Sequence, residues 1–174
     1  MIGAGLVSEV RQGKHRYVRL GNPEAAELIE RLAALARVST PADKSFLGQR
    51  PDVRLRGGRS CYRHLAGELG VRLRDGLVRT GMVDIADGYA LTLRGFAWFE
   101  GLGYPIRRRD SSDRRAVIRP CLDWTERVEH LAGIAGDTLC SALTELHWID
   151  RDSHDRAVSL TANGAASLSK AGIL

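Results

Sequence analysis

The chain has 174 residues, 44% hydrophobic and 27% charged, with a formal net charge of +5; that balance belongs to a globular protein rather than a disordered one. No apolar run approaches the roughly 18 residues that cross a bilayer, and polar residues from Ser8 onward break up any signal-peptide core behind Met1. Three widely spaced cysteines argue against a disulfide framework, so a reducing cytoplasm and no membrane are expected.

Charge is unevenly distributed. Residues 1–60 hold eleven Lys/Arg against six Asp/Glu, residues 61–119 eleven against seven, and residues 120–174 four against eight. Basic residues attract polyanions by counterion release, so a nucleic-acid surface is expected toward the N-terminal side. A solvated basic face explains the same numbers equally well.

In chain order, the first segment reads as a hairpin. Leu6–Val10 and Arg16–Leu20 alternate apolar and polar around a turn that contains Gly13. Asn22, Pro23 and Glu24 then carry the start signals of a helix. From Pro23 to about Arg37 that helix places Ala25, Leu28, Ile29, Leu32 and Leu35 on one stripe. A stripe on so small a unit needs a cover, either the rest of the chain or a second copy. Residues 38–60 show no sustained period and read as a linker with one short helical turn.

The remainder contains an internal repeat. His64-Leu65-Ala66-Gly67 recurs as His130-Leu131-Ala132-Gly133, and at the same offset Gly70, Leu73, Leu77 and Asp84 match Gly136, Leu139, Leu143 and Asp150. After a small insertion Leu91-Thr92 matches Leu160-Thr161, and each copy has a cysteine upstream of its histidine, Cys61 and Cys121. Each copy reads as a helix-turn-helix: Ala66 where two helices touch, Gly70 where the chain turns, and a second helix through Leu73, Leu77 and Val78 ending near Gly81. A wing follows over Met82–Leu91, and Thr92 caps a closing helix that buries Phe96, Phe99 and Leu102. The second copy predicts helices around Leu131–Ala135 and over Thr138–Leu146, a wing over Trp148–Leu160 and a cap at Thr161.

The pattern Gly3-Ala4-Gly5-Leu6-Val7, Gly13, His15-Arg16-Tyr17 and Leu20 resembles the wing of ArsR/SmtB-type regulators, and Asn22-Pro23-Glu24 resembles the start of their dimerisation helix. Cys61-Tyr62-x-His64-Leu65-Ala66-Gly67 and Cys121-Leu122-Asp123-Trp124-Thr125-Glu126-Arg127 are similar to the C-terminal extension of a bacterial subgroup of such regulators. The resemblance implies a homodimer on double-stranded promoter DNA, with a wing hairpin that crosses the minor groove. The helices that precede the wing in that family are absent from the sequence, so Met1 is expected to be an internal residue of a longer frame. The base-reading helix would lie in the missing part, and wing contacts mostly position rather than specify.

The expected architecture is α+β and mostly helical. A wing hairpin and dimer helix (1–37) and a linker (38–60) lead into one winged-helix-like module (61–105), an Arg-rich linker (106–120) and a second module (121–174). Arg11, Lys14, His15 and Arg16 are the candidate DNA contacts of the wing; an ordinary solvated hairpin is the bland alternative. Cys61, His64, Cys121 and His130 are candidate ligands for zinc or another soft metal. In the first copy the spacing of three puts both side chains on one helix face, and a pseudo-symmetric packing would complete a Cys₂His₂ set. Packing roles for buried His and Cys are commoner. Cys140, at an apolar position in mid-helix, reads as core.

The metal sites familiar in the resembled family are not supported, because residues 23–37 contain no His and no Asp, and the arsenic-sensing thiolates lie in the recognition helix. Arg72, Arg74 and Arg79 offer weak phosphate contact, whereas Thr138–Leu146 holds Glu145 and no basic residue. Trp98, Trp124 and Trp148 are read as packing residues before cavity walls. An Arg-rich joint, Arg107-Arg108-Arg109 to Arg114-Arg115, reads as solvated. No phosphate loop, Ser-His-Asp set or paired-carboxylate motif stands out, so no enzyme is expected. The alternative function is a dimeric Cys/His-based metal or redox sensor, or an interaction module, that does not bind DNA by itself.

Overall fold

A computed structural model describes residues 1–13, 15–22, 24–26, 28–29, 32, 53–107, 116–152 and 155–174. The chain divides into two compact units, Met1–Asp43 and Lys44–Leu174.

In the first unit, alternation and a glycine turn produce the expected hairpin. β1 (Val7–Gln12) pairs antiparallel with β2 (His15–Leu20), with Gln12 opposite His15 and Arg11 opposite Arg16. Gly13 takes φ +59° at the turn, the left-handed conformation that glycine adopts without a steric cost. Asn22 Oδ1 accepts from the Ala25 N–H at 2.7 Å, the cap its position predicts. Residues 24–26, 28, 29 and 32 beyond it are helical. Ala25 and Ala26 are buried, but Leu28, Ile29 and Leu32 remain 53%, 49% and 56% exposed.

The second unit is built twice over from hairpin, long helix, hairpin and short helix. The first copy is entered through α1 (Val53–Gly57), within the stretch read as linker. It then runs through β3 (Arg59–Cys61), β4 (His64–Ala66), α2 (Gly67–Arg79), β5 (Val83–Asp84), β6 (Ala90–Leu91) and α3 (Leu93–Gly101). The second copy follows as β7 (Arg119–Leu122), β8 (Glu129–Ala132), α4 (Gly133–Glu145), β9 (Ile149–Arg151), β10 (Val158–Leu160) and α5 (Ala162–Lys170).

Several expectations are reproduced in detail. Thr92 Oγ1 accepts from Gly95 N, and Thr161 Oγ1 from Gly164 N, so both closing helices are capped as read. α2 terminates at Gly81, with φ +71°. The matching position in the second copy is His147, held in the same left-handed conformation at φ +55°.

Two expectations are corrected. Among the described residues the strands lie in five two-stranded antiparallel hairpins beside the helices, so the architecture is mixed α/β rather than mostly helical. Nor does either copy begin with a helix. His64-Leu65-Ala66 and His130-Leu131-Ala132 are strands, and Gly70 and Gly136 lie inside single 13-residue helices. The glycines that suggested a turn answer a packing demand instead. A Cβ on Gly70 would lie 2.5 Å from the Leu65 carbonyl oxygen and 3.5 Å from the Cβ of His130; on Gly136 it would lie 2.5 Å from the Leu131 oxygen and 3.2 Å from the Cβ of His64.

That pairing shows how the copies combine. α2 packs on β8 of the second copy and α4 on β4 of the first. One continuous core results, including Leu65, Leu73, Leu77, Phe99, Leu131, Leu139, Leu143 and Leu168. Gly70→Ala and Gly136→Ala should each destabilise the protein by about 1–3 kcal/mol through overpacking. Gly101→Ala, with open space around its Cβ position, should be neutral or stabilising by up to about 1 kcal/mol. Urea unfolding of the three variants checks both signs.

Candidate functional site

The two crossed hairpins bring the repeat's chemistry to one place. Cys61 and His64 are direct cross-strand partners on β3–β4, and Cys121 and His130 are the same pair on β7–β8. The helix-face geometry expected for Cys61 and His64 is therefore wrong, since the spacing of three spans a tight hairpin turn. The wider spacing of Cys121 and His130, which made that pair doubtful, is a longer hairpin loop that restores the same register. The first turn is tight enough to hold Tyr62 at φ +58°, a conformation unfavourable for a non-glycine residue.

One ligand atom from each of Cys61, His64, Cys121 and His130 lies within 4.8 Å of every other. The two imidazole rings are 5.1 Å apart, centroid to centroid. Three of the four residues are buried and Cys61 is half-buried. The cluster could hold a metal ion. The Cys121 sulfur beside it, followed by His130 and His64, holds the Cys61 thiol far below its ordinary range, against a burial penalty that acts the other way. Cys140 is buried among core residues, and burial pushes its thiol up.

Beside the cluster lies a buried ion pair that sequence reasoning missed. Arg59 and Asp123 are 1% and 0% exposed, with Arg59 Nη2 donating to Asp123 Oδ1 at 2.7 Å. Arg59 Nη1 also donates to the Leu55 carbonyl and to Thr125 Oγ1, and its guanidinium lies over the Trp124 ring. Asp123 accepts from Gly67 N at 2.6 Å, from Thr125 N and Oγ1, and from Glu126 N. It thereby caps α2, whose own N-cap residue Ala66 has no side-chain acceptor. His130 Nδ1 is 3.3 Å from Asp123 Oδ2. Burial alone would raise the Asp123 pKa; the nearby His130 ring and hydrogen bonds from Thr125, Gly67 and Arg59 outweigh it and hold the carboxyl well below the usual carboxylate range. Asp123 lies inside the Cys-Leu-Asp-Trp-Thr-Glu-Arg segment, which was the available signal.

Two of the three arginines considered for DNA on α2 are engaged within the unit. Arg74 Nε donates to the Glu129 carbonyl, and Arg79 Nη2 to those of Gly172 and Ile173. Arg72 is exposed. On the hairpin of the first unit, Arg11 and Arg16 both pair with Glu9, each at 2.8 Å, while both stay largely exposed. His15 is placed by its backbone alone; Lys14 and residues 108–115 of the Arg-rich joint lie outside the described residues.

The chain is 36% identical over 171 residues to a protein of Bacillus subtilis (strain 168) named "Uncharacterized HTH-type transcriptional regulator YdfF", an alignment covering 98% of this chain and 74% of that protein. The chain belongs to the HTH-type transcriptional regulators. No protein-family model and no solved structure matches it.

Removing one partner of a buried ion pair leaves an uncompensated charge, so Arg59→Met should cost about 3–5 kcal/mol at neutral pH. Asp123 has a lower pKa folded than unfolded, so its contribution is complete above the unfolded value of about 4 and is lost as pH falls below it. Urea unfolding between neutral pH and pH 3 should show the wild type losing more stability than Asp123→Asn over that interval.

Proposed function

We propose that this regulator is of the ArsR-like type and acts as a homodimer on double-stranded promoter DNA, with the β1–β2 hairpin as its wing. The relation to an HTH-type regulator over nearly the whole chain carries the DNA-binding reading. Local structure supports the finer parts. A two-stranded hairpin presenting exposed Arg11 and Arg16 fits the phosphate backbone or a minor groove; Lys14 and His15 are the other proposed wing contacts. The Asn22-capped helix leaves Leu28, Ile29 and Leu32 exposed on the first unit, and a second copy of the same helix is the proposed cover.

Glu9 moderates the wing. Its carboxylate bridges Arg11 and Arg16, and both interactions hold it below the usual range, the Arg11 hydrogen bond most of all. Both arginines remain free to exchange this partner for phosphate.

A second reading is favoured by one observation, the convergence of Cys61, His64, Cys121 and His130. In that reading the second unit is a metal or redox sensor that takes zinc or another soft metal and does not bind DNA by itself.

Fluorescence anisotropy with DNA from upstream of the protein's own gene, at several salt concentrations, tests the wing. Arg16→Ala should weaken binding about uniformly across DNA sequences and reduce the salt slope by about 1, and Glu9→Gln should strengthen it. No salt-dependent binding by the wild type would reject the DNA-binding role. Light scattering should report a dimer that Leu28→Glu with Leu32→Glu converts to monomer; an unchanged mass would reject this helix as the interface.

A further inference from the structure

We propose that Cys61, His64, Cys121 and His130 form a closed, four-coordinate site for one divalent cation of the zinc class, and that the bound cation clasps the two repeats together. This deepens the sensor reading and rests on it for any regulatory role, while the site itself is independent of DNA binding.

The donor chemistry selects the ion. Two thiols and two imidazoles are a soft, borderline set that suits zinc and similar ions and disfavours magnesium or calcium. Tetrahedral bonds of about 2.3 Å to sulfur and 2.0–2.1 Å to nitrogen place the ligand atoms roughly 3.3–3.8 Å apart. All four lie within 4.8 Å of one another here, so contractions of at most about 1.5 Å complete the shell.

The surroundings place a carboxylate near each imidazole. A ligating histidine commonly gives its second nitrogen to a carboxylate, which fixes the ring and its tautomer. His130 Nδ1 lies 3.3 Å from Asp123 Oδ2 without a well-formed hydrogen bond, and His64 Nδ1 lies 3.8 Å from Asp137 Oδ1, so a small shift on metal binding would complete either contact. Nε2 of His130 is fully buried and makes no well-formed hydrogen bond within the protein, an arrangement that calls for an explanation in a folded interior. A cation at the centre of the cluster supplies one. Each repeat contributes one cysteine and one histidine, so neither hairpin can complete the shell alone.

The test uses the full chain, stripped of metal under reducing conditions. Zn²⁺ is titrated in competition with a chromophoric chelator, and Co²⁺ is added anaerobically as a spectroscopic probe. One equivalent should bind, with thiolate-to-cobalt charge transfer and the intense visible bands of a tetrahedral centre, and the thermal midpoint should rise. Cys61→Ser, at the half-buried position, should keep the far-UV circular dichroism of the wild type but lose roughly half the charge-transfer absorption. Asp137→Asn, as a positioning residue, should weaken Zn²⁺ binding about 10–100-fold while the cobalt spectrum stays tetrahedral. Absence of stoichiometric binding by folded wild type, or an unchanged cobalt spectrum in Cys61→Ser, overturns the site. Stoichiometric binding that leaves DNA affinity unchanged supports the site and rejects the sensor reading alone.

Discussion

Asp123 contributes a single carboxylate, yet three separate parts of the second unit terminate on it. It neutralises Arg59, whose guanidinium in turn holds the Leu55 carbonyl of α1; it caps the N-terminus of α2; and it faces the ring of His130. A buried charge is tolerated only when all its partners are supplied at once, so this position couples an entry helix, the first copy's long helix and the second copy's hairpin. Among the described residues no acid caps α4, whose Ile134 and Ala135 amides reach the backbone carbonyls of Ala116 and Val117.

Around that anchor the duplication acquires its physical meaning. Two copies of hairpin and helix exchange contacts, each long helix covering the other copy's strand, with Gly70 and Gly136 allowing the close approach. Crossing at those glycines juxtaposes His64 and His130, and strand register then brings the two cysteines alongside. The cluster thus follows from how two marginal modules bury their apolar faces. The first unit presents an exposed basic hairpin and an apolar helix surface.

The balance of effects in each unit differs accordingly. In the second unit, arginines that resemble phosphate contacts in the sequence are used to satisfy carbonyls of the neighbouring copy, as Arg74 and Arg79 show. On the hairpin, among the described residues, Arg11 and Arg16 meet the half-buried Glu9 carboxylate while staying exposed themselves, a weak pairing in water. Cation exposure, more than cation count, separates the arginines of the hairpin from those that hold the second unit together.

Much of this was legible in the sequence where the governing interaction is local. Asn22, Thr92 and Thr161 cap helices, Gly81 ends one, and alternation around Gly13 makes a hairpin, because caps and turns are decided by residues within a few positions. The repeat and its four Cys and His residues were equally visible, since duplication leaves its offset in the chain. Tertiary structure alone decided that His64-Leu65-Ala66 is a strand: a short apolar run fits helix or strand, and the neighbouring copy's helix supplies the surface that selects the latter. It alone assigned Gly70 to close packing rather than a turn, and joined Arg59 to Asp123 across 64 residues. The sequence could name the donors of the cluster; only the crossing of two hairpins could bring them within reach of one ion.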